Sequence, residues 1–103
     1  RPKRLVREQG AQAAMDARTA HLVMYQFQAC PFCAKVRRQM RKYGLNIELR
    51  DARKDPAHKQ ALIEGGGRYK VPCLQITGDS GKTSWLYESD DIIAYLKSEL
   101  ELA

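Results

Sequence analysis

Two cysteines set three positions apart, Cys30 and Cys33, are the side chains in this sequence best placed to do chemistry. The stretch Cys30-Pro31-Phe32-Cys33 suits either thiol–disulfide exchange or metal ligation in a reducing compartment. A third cysteine, Cys73, stands alone, and an odd, clustered set argues against a secreted domain stapled by disulfides. In exchange chemistry the thiolate is the nucleophile, so the useful cysteine is the one whose pKa is lowered. Cys30 falls where a strand-like run ends and a helical pattern begins. Unpaired backbone N–H groups and the positive end of the helix dipole stabilise an anionic sulfur there. Lys35, Arg37 and Arg38 on the next turns add positive potential. Cys33 lies on the apolar stripe of the same helix, so it is expected to be shielded from solvent.

The competing use of such a pair is half of a zinc site, which normally needs four ligands. The other candidates, Cys73, His21 and His58, are not paired at metal-ligand spacing, so no metal held by this chain alone is expected. A cluster shared between two chains and completed by outside thiols stays open.

The elements that must position these cysteines follow from pattern. His21–Gln28 is rich in β-formers and too short for a core helix, so it reads as a strand. Cys30–Tyr43 reads as a helix with Pro31 at its first position, where the missing N–H costs nothing. Cys33, Val36, Met40 and Tyr43 share one face, and Gly44 supplies the stop. Asn46–Arg50 alternates as a second strand. Asp55-Pro56 opens a helix that is expected to run to about Glu64 and end at Gly65-Gly66-Gly67. Val71–Thr77 and Thr83–Tyr87 read as strands joined through Gly78-Asp79-Ser80-Gly81. Ser89 or Asp90 is expected to cap a last helix that buries Ile92, Ile93, Tyr95 and Leu96. The order βαβαββα implies an α/β fold. Its four-stranded mixed sheet has a parallel first pair, an antiparallel last pair and helices on both faces.

Length and composition bound the rest. A chain of 103 residues accommodates one domain, here 21–103, preceded by a basic leader or linker at 1–20 that is helical around Glu8–Ala17 and lies outside the core. No window approaches the roughly 18 apolar residues of a membrane span. The net charge of +6 invites a nucleic-acid reading, but no nucleic-acid motif accompanies it, so no such partner is expected. The chain opens on Arg1 rather than Met, so further sequence is expected upstream. Arg1-Pro2-Lys3-Arg4 reads either as a solvated linker or as the cytoplasmic flank of a membrane anchor in that upstream segment.

Three motifs spread over about residues 21–100 together resemble the glutaredoxin family of the thioredoxin-like superfamily. Cys30-Pro31-Phe32-Cys33 resembles the dithiol motif, with Phe32 where Tyr is more usual. Lys70-Val71-Pro72 resembles the family's Thr-Val-Pro, whose proline is cis and faces the active-site cysteine. Glu88-Ser89-Asp90-Asp91-Ile92 stands where glutaredoxins hold the γ-glutamyl end of glutathione, and is similar also to the Glu-Ser of glutathione transferase N-terminal domains.

The resemblance implies a thioredoxin/glutaredoxin-like fold and a glutathione-dependent oxidoreductase. Cys30 would carry the glutathionyl group, Cys33 would resolve it, and the oxidised form would hold a Cys30–Cys33 disulfide. Val71 would pair its backbone with the cysteinyl segment of glutathione, Pro72 would turn that backbone toward the sulfur, and Glu88, Ser89 and Asp90 would form the γ-glutamyl edge. Helix N-termini bind anions, which suits the carboxylate there. Many family members have a lysine three residues before the first cysteine; here Phe27 stands in that place. Arg68 or a cation of the following helix would then take the glycyl carboxylate. Tyr87-Glu88 replaces the usual Gly-Gly, which leans this edge toward the transferase style, although the transferase's helical second domain has no room here. Glutathione as co-substrate, glutathionylated or disulfide-containing substrates, electron transport, a monomer and a cytoplasmic location, tethered to a membrane's inner face if an anchor lies upstream, complete the expectation. The alternatives are a non-catalytic module that binds glutathione or a partner, and an iron–sulfur cluster carrier.

Overall fold

A computed structural model describes residues 2–103, so the expectation at Arg1 lies outside the described residues. The elements in chain order are α1 (Gln9–Thr19), β1 (Leu22–Gln26), α2 (Pro31–Lys42), β2 (Glu48–Asp51), α3 (Pro56–Gly66), β3 (Cys73–Thr77), β4 (Thr83–Tyr87) and α4 (Ser89–Glu99). The sheet runs β2-β1-β3-β4. Its first pair, β1 and β2, is parallel, and β3 is antiparallel to both β1 and β4. No helix among the described residues is long and apolar enough to cross a membrane.

Alternation along the strands splits the interior into two layers, because successive side chains point to opposite faces of a sheet. Leu22, Met24 and Leu74 pack with Val36 and Met40 of α2 and Ile92 and Leu96 of α4. Tyr25, Cys73 and Tyr87 face the other way, onto Leu62 of α3, with Trp85 packed beside them. The cysteine-bearing helix is therefore fixed by one core layer, while Cys73 belongs to the other.

Residues 9–19 form the helix expected in the leader, started by the Glu8 carboxylate, which accepts from the backbone N–H of Gly10 at 2.7 Å and of Ala11 at 3.1 Å. These bonds hold the Glu8 carboxyl below the ordinary carboxylate range. This helix does not lie wholly outside the core: Thr19 is buried and Met15 packs against the first layer. Arg18 donates to the Glu99 carbonyl at 3.0 Å, which ties it to the end of α4.

Of the three glycines expected to stop α3, only Gly67 does so, and Gly65 and Gly66 play a different part. The helix continues through Gly65 and Gly66 and ends at Gly67, whose φ of 90° is the left-handed cap. A Cβ on Gly65 would stand 2.1 Å from Trp85, and one on Gly66 would stand 2.1 Å from the Tyr87 hydroxyl. Their absent side chains let α3 lie close against β4.

Candidate active site

Strand register gathers three distant segments at one end of the sheet. Tyr25 near the end of β1 pairs with Cys73 at the start of β3, and Cys73 pairs with Tyr87 at the end of β4. The cysteine loop that follows β1, Val71-Pro72 before β3, and Glu88 after β4 are thereby neighbours. The Val71–Pro72 peptide bond is cis.

Cys30 is the N-cap of α2, with φ −77° and ψ 124°, and Pro31 follows at the first helical position. The thiol is partly exposed, whereas Cys33 is 0% exposed. Partial burial pushes the Cys30 thiol up, but other effects outweigh it and its pKa lies below the ordinary value. These are hydrogen bonds from the Cys33 backbone N–H, the Cys33 thiol and the Phe32 N–H, and the charge of Arg37. Cys33 moves the opposite way, to about 12, through burial first and then through its bond to Cys30 and the neighbouring negative charge. One thiol is thus prepared to ionise and the other to keep its proton.

Arg37 has a structural task beside its charge. Its guanidinium donates to the carbonyls of Phe27 at 3.3 Å and Gln28 at 2.9 Å, and to the buried side chain of Gln26. It therefore pins the loop that carries Cys30 while contributing to its ionisation. Lys35 is instead paired with Asp90.

A groove of about 480 Å³ opens beside Phe32 and brings together Val71, Pro72, Glu88, Ser89 and Asp90, all expected there from the sequence. Arg68 is not in its lining; its guanidinium lies over the Tyr87 ring at 4.3 Å from the centroid. Phe27 packs edge-on against Tyr69 at 5.5 Å, and the Lys59 ammonium sits 4.7 Å from the centre of the Tyr69 ring. Lys35, a cation of the helix after Cys30 as expected for the glycyl end, also lines it, and the residues not individually assigned there from the sequence are Phe32, Lys70 and Asp91. Lys70 and Asp91 directly flank assigned positions, and that adjacency is the signal that could have found them. Two ion pairs straddle the groove, Lys35–Asp90 and Lys70–Glu88, the latter at 2.7 Å.

The cap of α4 falls one residue earlier than expected. Glu88 is the N-cap, at φ 73° and ψ 120°, outside the small left-handed region that non-glycine residues tolerate. Ser89 is the buried first residue of the helix and makes no capping bond.

Cys73 is fully buried, and burial raises its thiol to about 11 against the opposing influence of the Tyr87 hydroxyl and Arg68. Cys73, His21 and His58 do not join the cysteine pair in a group of three or more metal donors among the described residues.

The glutaredoxin family model matches residues 22–80. No curated protein matches the chain. Among solved structures, a thioredoxin-like protein in mutant form is similar at TM-score 0.61 and 22% identity, over 81% of this chain and 97% of its own. Wheat glutaredoxin is similar at TM-score 0.58 and 24% identity, covering 93% of this chain and 92% of its own. A buckwheat glutaredoxin, solved as its complex with glutathione, is similar at TM-score 0.58 and 20% identity, over 88% of this chain and 81% of its own. At these identities the structural likenesses establish the thioredoxin-like fold.

Proposed function

This chain belongs to the glutaredoxin family, whose fold and chemistry are those of thiol–disulfide oxidoreductases, and on that premise we propose that it reduces disulfides and glutathione mixed disulfides through Cys30. The observation that carries the reading is the opposed setting of the two thiols, one ionisable at an open helix N-terminus and the other buried and protonated.

In the first step the Cys30 thiolate attacks the glutathionyl sulfur of a mixed disulfide. A Cys30–glutathione disulfide forms, the substrate's sulfur leaves as a thiolate, and water supplies its proton. A second glutathione thiolate then attacks the glutathionyl sulfur, releasing oxidised glutathione and restoring the Cys30 thiolate. The other exit uses Cys33: it loses its proton to water, attacks the Cys30 sulfur, forms the Cys30–Cys33 disulfide and releases glutathione as a thiolate that water protonates. Two further glutathiones reduce that disulfide to the dithiol and leave as oxidised glutathione. Consumption of the Cys30 charge removes one cause of the raised Cys33 pKa, but burial remains. External glutathione is therefore the easier second nucleophile.

The glutathione backbone would lie along Val71, with Pro72 beside the sulfur and the γ-glutamyl carboxylate at the start of α4, where backbone N–H groups favour an anion. The glycyl carboxylate would recruit Lys35 or Lys70 from its resident partner, since Arg68 is engaged elsewhere. The same proposal makes the protein a monomer of the reducing cytoplasm that needs no metal.

The test is glutathione-coupled reduction of a small glutathione mixed disulfide by the wild type, Cys30→Ser and Cys33→Ser. Turnover is expected in the wild type and Cys33→Ser and absent in Cys30→Ser. Activity in Cys30→Ser with none in Cys33→Ser reverses the assignment of roles. No turnover by folded, reduced wild type overturns the enzyme reading in favour of a binding module, which the already paired groove cations would suit.

A further inference from the structure

A second groove, of about 720 Å³, lies on the other side of α2, between that helix and the segment entering β2. Arg4, Arg37, Arg38 and Arg41 line it, and no carboxylate does. None of these arginines forms an ion pair among the described residues. Three are held in place by neutral acceptors. Arg37 is on the cysteine-loop carbonyls, the Arg41 Nε donates to the Pro2 carbonyl at 2.7 Å, and Arg4 donates to the Asn46 side chain. Arg38 is exposed and makes no such bond. The floor is apolar, with Met40, Leu45 and Ile47 beneath the guanidinium groups. The cations of the first groove are neutralised by resident carboxylates, whereas those of this one, three of them oriented, have no carboxylate partner among the described residues.

Arg37 belongs to both places: it lines this groove and its charge favours the Cys30 thiolate. We propose that the arginine groove docks an acidic, extended segment of a protein substrate whose oxidised or glutathionylated cysteine is presented to Cys30; this rests on the oxidoreductase reading above. At 1.5 Å of rise per helical residue, Arg37 lies about 10 Å and Arg41 about 16 Å along the axis from Cys30. An extended peptide covers that span in roughly three to five residues. The segment recognised is one with Asp or Glu about three to five positions from the reactive cysteine, interleaved with apolar side chains that meet the floor. Arginine forks bind carboxylates bidentately, which suits such a segment. A single-stranded nucleic acid would satisfy the charge, but it binds by stacking bases on aromatic rings, and no aromatic residue lines this groove.

Two glutathionylated peptides test this, identical except for Glu or Gln at the third and fifth positions from the cysteine. They are assayed with the wild type and Arg38→Glu, alongside the small glutathione mixed disulfide. The readout is the ratio of kcat/KM for the two peptides, so any change in Cys30 reactivity cancels. Wild type should favour the Glu peptide about tenfold at low salt, through KM, and lose the preference at high salt. Arg38→Glu should abolish or invert it. Equal turnover of the two peptides by a wild type active on the small substrate overturns the docking site alone. A preference that survives Arg38→Glu does the same. If the small substrate is not turned over, the oxidoreductase reading fails instead, and fluorescence anisotropy of the labelled Glu peptide with both proteins decides the docking site. A single-stranded oligonucleotide that displaces the Glu peptide at matched charge, in an Arg38-dependent way, overturns the assignment to an acidic polypeptide.

Discussion

The opposed thiols predict a large separation in reactivity that one labelling experiment can read. Alkylation by iodoacetamide follows the thiolate fraction. The Cys33 pKa of about 12 leaves on the order of one molecule in 10⁵ ionised at pH 7. Cys30 lies below the ordinary value of 9.0, so at least about one in 10² is ionised there. The ratio of rates at pH 7 is therefore at least about 10³ from ionisation alone, and the complete burial of Cys33 widens it. The assay is site-resolved mass spectrometry of reduced, folded protein pulsed with iodoacetamide from pH 5 to 10. The Cys30 rate should rise to a plateau with a midpoint below 9.0, while Cys33 stays unlabelled. In Cys30→Ser the Cys33 pKa should fall, because its anionic neighbour is gone, yet stay above 9.0 because burial is its first cause. The sign for stability follows: folding raises Cys33, so its contribution is whole below about 9 and is lost as pH climbs toward about 12. Labelling of Cys33 within tenfold of Cys30 at pH 7, or a Cys30 midpoint above 9.0, would refute the account of how the nucleophile is made.

Arg37→Gln should raise the Cys30 midpoint and slow turnover at pH 7 while a rate measured on the alkaline plateau changes less; the pH profile of alkylation checks both. At Glu88, where φ is 73°, Gly should melt above Ala by roughly 4–8 °C, the reverse of their order in regular structure, and a thermal melt of the two variants decides it. Gly65→Ala should destabilise by about 1–3 kcal/mol in urea unfolding despite Ala's better helix propensity, since its Cβ would meet the Trp85 ring.

Much of the fold could be read from periodicity and punctuation. Pro31, Gly44, Asp55-Pro56 and the Gly78–Gly81 turn mark element ends by local backbone chemistry, and local signals survive in a sequence. Gly65 and Gly66 misled because glycine has two uses, stopping a helix and admitting a close neighbour. Only the partners Trp85 and Tyr87, some twenty residues on, decide between them. The α4 cap misled for a similar reason. Ser and Asp are ordinary N-caps, and nothing local to Glu88 announces a positive φ. At the site, the cysteines and the Val71-Pro72 and Glu88–Asp90 segments were legible as motifs. The pairing of Lys35 with Asp90 and of Lys70 with Glu88 was not, because the first depends on how α2 and α4 face each other and the second on the register of β3 against β4. Arg68 was legible as a cation near the site, whereas its place over the Tyr87 ring, outside the groove's lining, was not, because it depends on which side chain β4 presents to it.

The two ion pairs across the first groove change what it means for an anion to bind there. A carboxylate arriving at Lys35 or Lys70 displaces a carboxylate already present, so the event is an exchange of counter-charges with little net neutralisation. Salt weakens the resident and the incoming pair alike, and the affinity of that groove for a small anion should barely respond to ionic strength. The arginine groove has no resident carboxylate to lose among the described residues, so its attraction for an anion is spent against dissolved ions and fades as they accumulate. On the two proposals above, a rise in salt would leave reduction of small glutathione mixed disulfides in place while releasing acidic peptides, making electrolyte concentration a selector between two classes of substrate at one sulfur.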